Sequence, residues 1–167
     1  MSDVLSAVES RLAAAVGEET EEDLGVLRRL DFLRFAVAAE DGAYLERVAK
    51  IPAGERAPAP TLYLPGILHW TPGPLETELR PDGLARRDAP GVADDDEVNV
   101  MHGGQDVELH AIVTEGMHVH ALRRMTSAAR KSGRSADFLV VQTTTRFMDS
   151  DATALATVVD TVLVVPR

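Results

Sequence analysis

The sequence predicts a single α+β domain in which helices precede an antiparallel sheet. Apolar residues recur at helical spacing through the first fifty positions, whereas eight of the nine prolines lie between Pro52 and Pro90. After residue 97 the chain contains four runs rich in β-branched residues, separated by short turns. A helical first half followed by a run of strands is typical of the α+β class, and 167 residues is the length of one domain.

Residues 1–29 are predicted to be a helical extension. Ser2 can cap a first helix over residues 2–16, and Gly17 suits its C-terminal end. Thr20 and Asp23 form a capping-box pattern that predicts a second helix, and the leucines after it keep helical spacing. Whether residues 24–39 form one helix or two stays open. Gly42 interrupts the helical pattern, which can resume over residues 44–49.

The proline-rich middle is predicted to lack long regular elements, because proline fixes φ and removes a hydrogen-bond donor. Its one apolar stretch covers residues 62–70. A short helix beginning near Pro65 is expected there, since proline is accepted in a first helical turn.

The C-terminal part is predicted to be an antiparallel meander of four strands. The predicted strands cover residues 98–113, 117–130, 138–147 and 154–165, with turns at Gly116, 131–134 and 149–151. A β-bulge is expected at Gly103 and Gly104, inside the first of these strands.

Composition excludes several functional classes. The net charge of −10 argues against nonspecific nucleic-acid binding, which depends on Lys and Arg. The absence of cysteine excludes disulfides and thiolate metal sites and fits a cytoplasmic protein. We expect no signal peptide and no membrane span, because the apolar runs are short.

Several motifs together resemble those of MaoC-like dehydratases, in particular the N-terminal, fatty-acid-synthase-type dehydratase branch. The resemblance covers residues 30–167. Its motifs lie at residues 33–44, 59–66, 102–110, 131–135 and 161–167. Residues 78–83 with Arg86 and Arg87 also resemble a loop in mesaconyl-type CoA hydratases.

The resemblance implies a hot-dog fold, in which an antiparallel sheet wraps around a central helix; here extra N-terminal helices would precede it. It also implies that two such domains pair side by side, with an acyl-CoA or acyl-carrier-protein thioester in a tunnel at the seam.

The acid–base pair of this family is missing at the matching positions. Catalytic members carry an aspartate and, five residues later, a histidine, because hydration of an enoyl thioester needs a base and an acid. Asp41 can hold the place of the aspartate, but Glu46 stands where the histidine would be. The resemblance therefore implies an accessory, non-catalytic chain beside a catalytic MaoC-like subunit. Asp41 and Glu46 remain the candidates for an altered acid–base pair.

The candidate substrate-binding residues are Tyr44, His102, Gly103, Gly104, Arg86 and Arg87. Arginines bind phosphates such as those of coenzyme A, although local pairing with carboxylates is an alternative. The glycine pair fits either a sheet bend or close approach of the backbone to a thioester. His102 and His110 could border the acyl tunnel or be ordinary sheet residues.

No metal or cofactor is expected. His118 and His120 alternate in a predicted strand and share one face, but no third ligand is apparent. Surface or partner-interface packing is the prediction for this pair.

Three functions remain open at this level. The first is an accessory subunit of a heteromeric (R)-type enoyl-CoA hydratase or dehydratase, in a heterodimer or heterotetramer. The second is a homodimeric hydratase or thioesterase with an altered acid–base pair. The third is an acyl-thioester binding or scaffold protein.

Overall fold

The structure is a computed structural model that describes residues 4–67, 75–80, 83 and 91–167. The helices are α1 (Val4–Ala15), α2 (Arg29–Ala38), α3 (Gly42–Val48) and α4 (Tyr63–Ile67), with a short 3-10 helix at Glu76–Glu78. The strands are β1 (Glu19–Val26), β2 (Val98–Leu109), β3 (His118–Ser132), β4 (Asp137–Asp149) and β5 (Ala154–Pro166). The predicted α+β class is confirmed.

The described strands form one antiparallel sheet in the order β1-β3-β4-β5-β2. Strands β3, β4 and β5 are joined as consecutive hairpins, as predicted. The four-strand meander is wrong for β2, which pairs with β5 at the far edge of the sheet. β1 occupies the edge of β3 that β2 would need, with Glu19 opposite Arg124.

The helical extension predicted for residues 1–29 is also corrected. Gly17, at φ +94°, follows the end of α1, and residues 19–26 then form strand β1 instead of a second helix. The Asp23 side chain does not cap a helix; its Oδ1 accepts a 2.8 Å hydrogen bond from the backbone N–H of Gly25. The register against β3 shifts between Asp23 and Gly25, which is a β-bulge in this edge strand.

The open question about residues 24–39 has a mixed answer, because residues 24–26 end strand β1 and one helix, α2, then covers Arg29–Ala38. The expected interruption of the helical pattern is confirmed at residues 39–41, and the pattern resumes at Gly42, two residues earlier than predicted, where α3 begins with Asp41 as its N-cap. The turn between the two helices has Glu40 at φ +54°.

One apolar cluster forms between α2, α3, α4 and the sheet. Phe32, Tyr44, Tyr63 and Phe147 are buried together there. Tyr63 meets Phe32 edge to face with ring centroids 4.7 Å apart. The helix expected near Pro65 begins two residues earlier, at Tyr63. The remainder of that predicted stretch, residues 68–70, lies outside the described residues.

A second cluster forms between α1 and the sheet. Leu5, Val8 and Leu12 of α1 pack with residues that include Leu139 and Val141 of β4. Because Leu139, Val141 and Phe147 occupy odd positions of one strand, both clusters lie on the same face of the sheet. The helices therefore cover one face.

The predicted bulge in β2 is confirmed. The register against β5 shifts between His102 and Gly104, and Gly104 has φ +135°. Within the described parts of the chain, no helix has the length and apolar character required to cross a membrane.

Candidate functional site

An open groove of 460 Å³ lies at the C-terminal end of β2. We call it the β2-end groove. The backbone N–H of Ala59 donates a 2.8 Å hydrogen bond to the carbonyl of Val113, which ties its two walls together. The lining residues are Ala59, Pro60, Thr61, Leu109, His110, Ala111, Ile112 and Val113.

The lining is mostly apolar, and among the described residues that form it His110 is the one titratable side chain. His110 Nε2 lies 2.8 Å from Thr157 Oγ1 on β5, and its Nδ1 lies 3.9 Å from a carboxylate oxygen of Glu108. An imidazole can donate or accept a proton near neutral pH. Apolar walls with one polar group are typical of small-molecule sites.

Apolar side chains are exposed along β2 and beside the groove. Ile112 is 76% exposed, and Met101 and Leu109 on β2 are also exposed. In the described sheet β2 is an edge strand, with β5 on one side only. An edge strand with exposed apolar residues is a surface on which another chain can pair.

Asp41 and Glu46 have different surroundings. The carboxylate of Asp41 caps α3 by accepting a 2.9 Å hydrogen bond from the backbone N–H of Tyr44. Glu46 is exposed on the surface of α3.

Each of the four described histidines lies near a different carboxylate; these pairs are His102–Asp160, His110–Glu108, His118–Asp23 and His120–Glu21.

Tyr44 is part of the core. Its side chain is buried, and its hydroxyl donates a 2.8 Å hydrogen bond to the backbone carbonyl of Pro58. Burial raises the pKa of Tyr44, and burial also raises the pKa of Tyr63 to about 12. Both phenols are therefore neutral at physiological pH. Tyr44 supports the chain segment that leads into the groove and is not among the groove's lining residues.

Glu115 holds the same segment from the other side. Its Oε2 accepts hydrogen bonds from the backbone N–H of Ala57 at 3.1 Å and from Arg29 Nε at 2.8 Å. The Ala57 N–H and the Arg29 guanidinium keep the pKa of Glu115 below its usual value. The wall of the groove is thus anchored by Tyr44, Glu115 and the Ala59–Val113 hydrogen bond.

His102, Gly103 and Gly104 lie in β2, outside the groove lining. His102 is exposed, with its Nε2 3.9 Å from Asp160 Oδ1. A Cβ at Gly103 would come within 3.2 Å of Thr161 on β5, and Gly104 has a positive φ. The bend in the sheet therefore accounts for both glycines. Arg86 and Arg87 lie outside the described residues.

Sequence reasoning did not select Thr61 or Ile112. Thr61 falls within the motif at residues 59–66, and Ile112 follows the motif at residues 102–110. Both motifs belong to the same family resemblance, but no local feature of either sequence indicates that the two segments lie next to each other in the fold.

Comparison with solved structures identifies the fold. A MaoC-like dehydratase from Rhodospirillum rubrum matches with a TM-score of 0.58 and 13% identity, over 92% of this chain and 94% of the other. The ChsH1-ChsH2 complex from Mycobacterium tuberculosis matches with a TM-score of 0.61 and 17% identity, over 97% of this chain and 90% of the other. The HadBC complex, a 3R-hydroxyacyl-ACP dehydratase from the same organism, matches with a TM-score of 0.60 and 16% identity, over 89% of this chain and 96% of the other. No protein-family model and no curated protein sequence matches the chain.

These likenesses show the fold of the chain, which is the hot-dog fold of MaoC-like dehydratases. The fold expected from the sequence motifs is therefore confirmed.

Proposed function

We propose that this chain, which has the hot-dog fold of MaoC-like dehydratases, is an accessory, non-catalytic subunit of a heteromeric (R)-type enoyl-thioester hydratase or dehydratase. The observation that carries the proposal is where the structure puts the side chains of Asp41 and Glu46. Asp41 is committed to the N-terminus of α3, and Glu46 is exposed where the resemblance would place a histidine. A hydration reaction needs a positioned acid and base, so a partner subunit supplies them.

The exposed edge of the sheet supports a partner chain. Strand β2 has twelve residues and carries exposed apolar side chains, and a second hot-dog domain can extend the sheet at this edge. Two of the similar solved structures are complexes, ChsH1-ChsH2 and HadBC. We assign the partner role to a catalytic MaoC-like subunit with an intact aspartate–histidine pair.

The groove supports an acyl-thioester ligand. Its volume of 460 Å³ lies within the range of roughly 300–1,000 Å³ for small-molecule sites. Its apolar lining suits an acyl chain, and its position beside β2 puts it at the proposed seam. In this role the chain shapes the acyl site, while the partner carries out proton transfer. The acyl group is carried on coenzyme A or on a carrier protein.

His110 supports a second candidate function, a homodimeric hydratase or thioesterase. Its imidazole lines the groove beside Thr157 and can act as a general base or acid without Asp41. The two functions differ in where the essential proton-transfer group lies.

The test combines native mass measurement with a hydration assay. The chain is expressed alone and together with a short MaoC-like chain from the same genome, and each preparation is assayed with crotonyl-CoA and a longer enoyl-CoA. We expect a mixed complex that is active, whereas this chain alone is inactive. Asp→Asn replacement in the partner's pair should abolish activity, while Asp41→Asn in this chain should leave the turnover rate within about a few-fold.

The opposite pattern contradicts the accessory role. A stable homodimer that hydrates enoyl-CoA alone, and loses about 10²- to 10⁴-fold in rate on His110→Gln replacement, establishes the second candidate. Acyl-CoA binding without turnover in both preparations indicates a binding protein instead.

A further inference from the structure

Two histidines of β3 stand side by side on the sheet face opposite the apolar clusters. His118 and His120 flank Val119, which is buried in the core with Ala121. Because successive strand residues point to opposite faces, both imidazoles point away from the core. Their rings stack with centroids 4.8 Å apart and an interplanar angle of 26°.

Strand β1 brings a carboxylate to this pair. Asp23 is the register partner of His120, and its Oδ1 lies 2.6 Å from Nε2 of His118. The bulge after Asp23 and the hydrogen bond from the Gly25 N–H orient the same oxygen. One potential ligand atom from each of Asp23, His118 and His120 lies within 4.8 Å of the other two.

We propose that Asp23, His118 and His120 form a binding site for a divalent transition metal ion of the Zn²⁺ type. Two imidazoles and one carboxylate are a ligand set that suits Zn²⁺, and a His-x-His pair on one strand places two ligands on one side of the ion. Three protein ligands leave a fourth position for water. This site is separate from the β2-end groove and does not depend on the proposed function.

The geometry requires only small side-chain rotations. Bonds of about 2.0–2.2 Å to a tetrahedral ion place ligand atoms about 3.4 Å apart. The present separations bracket that value, from 2.6 Å between Asp23 and His118 up to 4.8 Å within the group. The side chains of Asp23, His118 and His120 are 59%, 38% and 28% exposed, which leaves room for these rotations.

A carboxylate next to His120 bears on how the site is held. The Nδ1 atom of His120 is buried and has no hydrogen-bond partner among the described residues, although Glu21 Oε1 lies 3.4 Å away. Glu21 is thus placed to orient His120, as outer carboxylates do in histidine metal sites.

The chain contributes these ligands from two strands that are distant in sequence. Metal binding would therefore link the edge strand β1 to β3 and raise the unfolding temperature, because the ion binds the folded state better than the unfolded state.

The test uses the full chain without an affinity tag. Titration calorimetry with Zn²⁺ should show one ion per chain. The His118→Gln/His120→Gln double variant should weaken binding by more than about 100-fold, and Asp23→Asn by about 10-fold or more, since even outer-sphere changes cost about 10–100-fold. The matched control is His102→Gln/His110→Gln, which removes two histidines from β2 and should bind Zn²⁺ like the unaltered chain.

A spectroscopic measurement avoids any folding defect of the variants. Electron paramagnetic resonance of the unaltered chain loaded with one Cu²⁺ should show coupling to two imidazole nitrogens. The proposal is overturned if no stoichiometric ion binds, if the ion has no imidazole ligands, or if the control variant loses binding while the His118/His120 variant keeps it.

Discussion

The hydroxyl of Tyr44 donates a 2.8 Å hydrogen bond to the backbone carbonyl of Pro58, and so links α3 to the segment that enters the β2-end groove. The phenol is buried and lies in the aromatic part of the core. Tyr44, which the sequence analysis selected as a substrate-binding residue, therefore contacts the segment next to the groove and is not among the groove's lining residues. It holds the backbone whose next residues, 59–61, form a wall of the groove.

Replacing Tyr44 with Phe should lower the free energy of unfolding by about 0.5–1.5 kcal/mol, because the partly buried Pro58 carbonyl loses this hydrogen-bond donor. Urea unfolding followed by circular dichroism measures the change. The matched control is Tyr63→Phe, since the Tyr63 hydroxyl has no hydrogen bond to the residues that the structure describes. Equal effects of the two replacements would mean that the bond to Pro58 contributes nothing to stability.

Glu115 should make the chain sensitive to acid. Its pKa in the folded state lies below the ordinary value of 4.5, because the charged form accepts hydrogen bonds from Ala57 and Arg29. This stabilisation is fully present above about pH 4.5 and is lost as the pH falls through the lower, folded-state pKa. Unfolding temperatures measured from pH 7 to pH 3 should show Glu115→Gln less stable than the unaltered chain near neutrality, with the gap closing at acid pH.

Glu18→Gln is the control for this pH series, because Glu18 is an exposed carboxylate in the connection between α1 and β1. Its curve should follow the unaltered chain. A gap for Glu115→Gln that stays constant down to pH 3 would contradict the role of the Glu115 charge.

Strand β1 marks the limit of what the sequence could predict about the fold. Its first five residues, 19–23, are all polar, because an edge strand buries little on either face. Hydrophobic alternation was therefore absent, and the acidic Thr20–Asp23 pattern imitated the start of a helix. The interiors of β3, β4 and β5 were predicted correctly because apolar and β-branched residues fill them.

The same error hid the histidine cluster. His118 and His120 were recognised as neighbours from their alternation, which is a local property. The third group, Asp23, comes from pairing of β1 with β3 across more than ninety residues. With residues 19–26 read as helix, no carboxylate could be placed beside the pair. The β2-end groove was missed for a similar reason, since Ala59 and Val113 meet only through a long-range backbone hydrogen bond.

The bulge in β2 predicts a specific glycine requirement. Gly104 has φ +135°, a conformation that side chains other than glycine rarely adopt. Gly104→Ala should therefore lower the free energy of unfolding by about 1–3 kcal/mol. Gly42→Ala is the matched control, because an added Cβ at the start of α3 meets no atom within 4 Å. That change should be neutral or stabilise by up to about 1 kcal/mol. The requirement is refuted if both replacements leave the urea midpoint unchanged.

Helix α1 should be an integral part of the domain, although the resemblance to MaoC-like dehydratases begins only after it. Leu12 is buried against a cluster that includes Leu139 and Val141 of β4. Leu12→Ala should cost about 2–5 kcal/mol, because it removes buried methyl groups and leaves a cavity between α1 and the sheet. Val16→Ala removes apolar atoms at an exposed position just past the helix and should stay within about 0.5 kcal/mol of the unaltered chain. Urea unfolding at one protein concentration compares the two. A large loss of unfolding free energy on Leu12→Ala, in a single cooperative transition, would show that α1 completes the core. If Leu12→Ala instead behaves like Val16→Ala, α1 can detach without loss of stability, and its apolar side would be free to bind another chain.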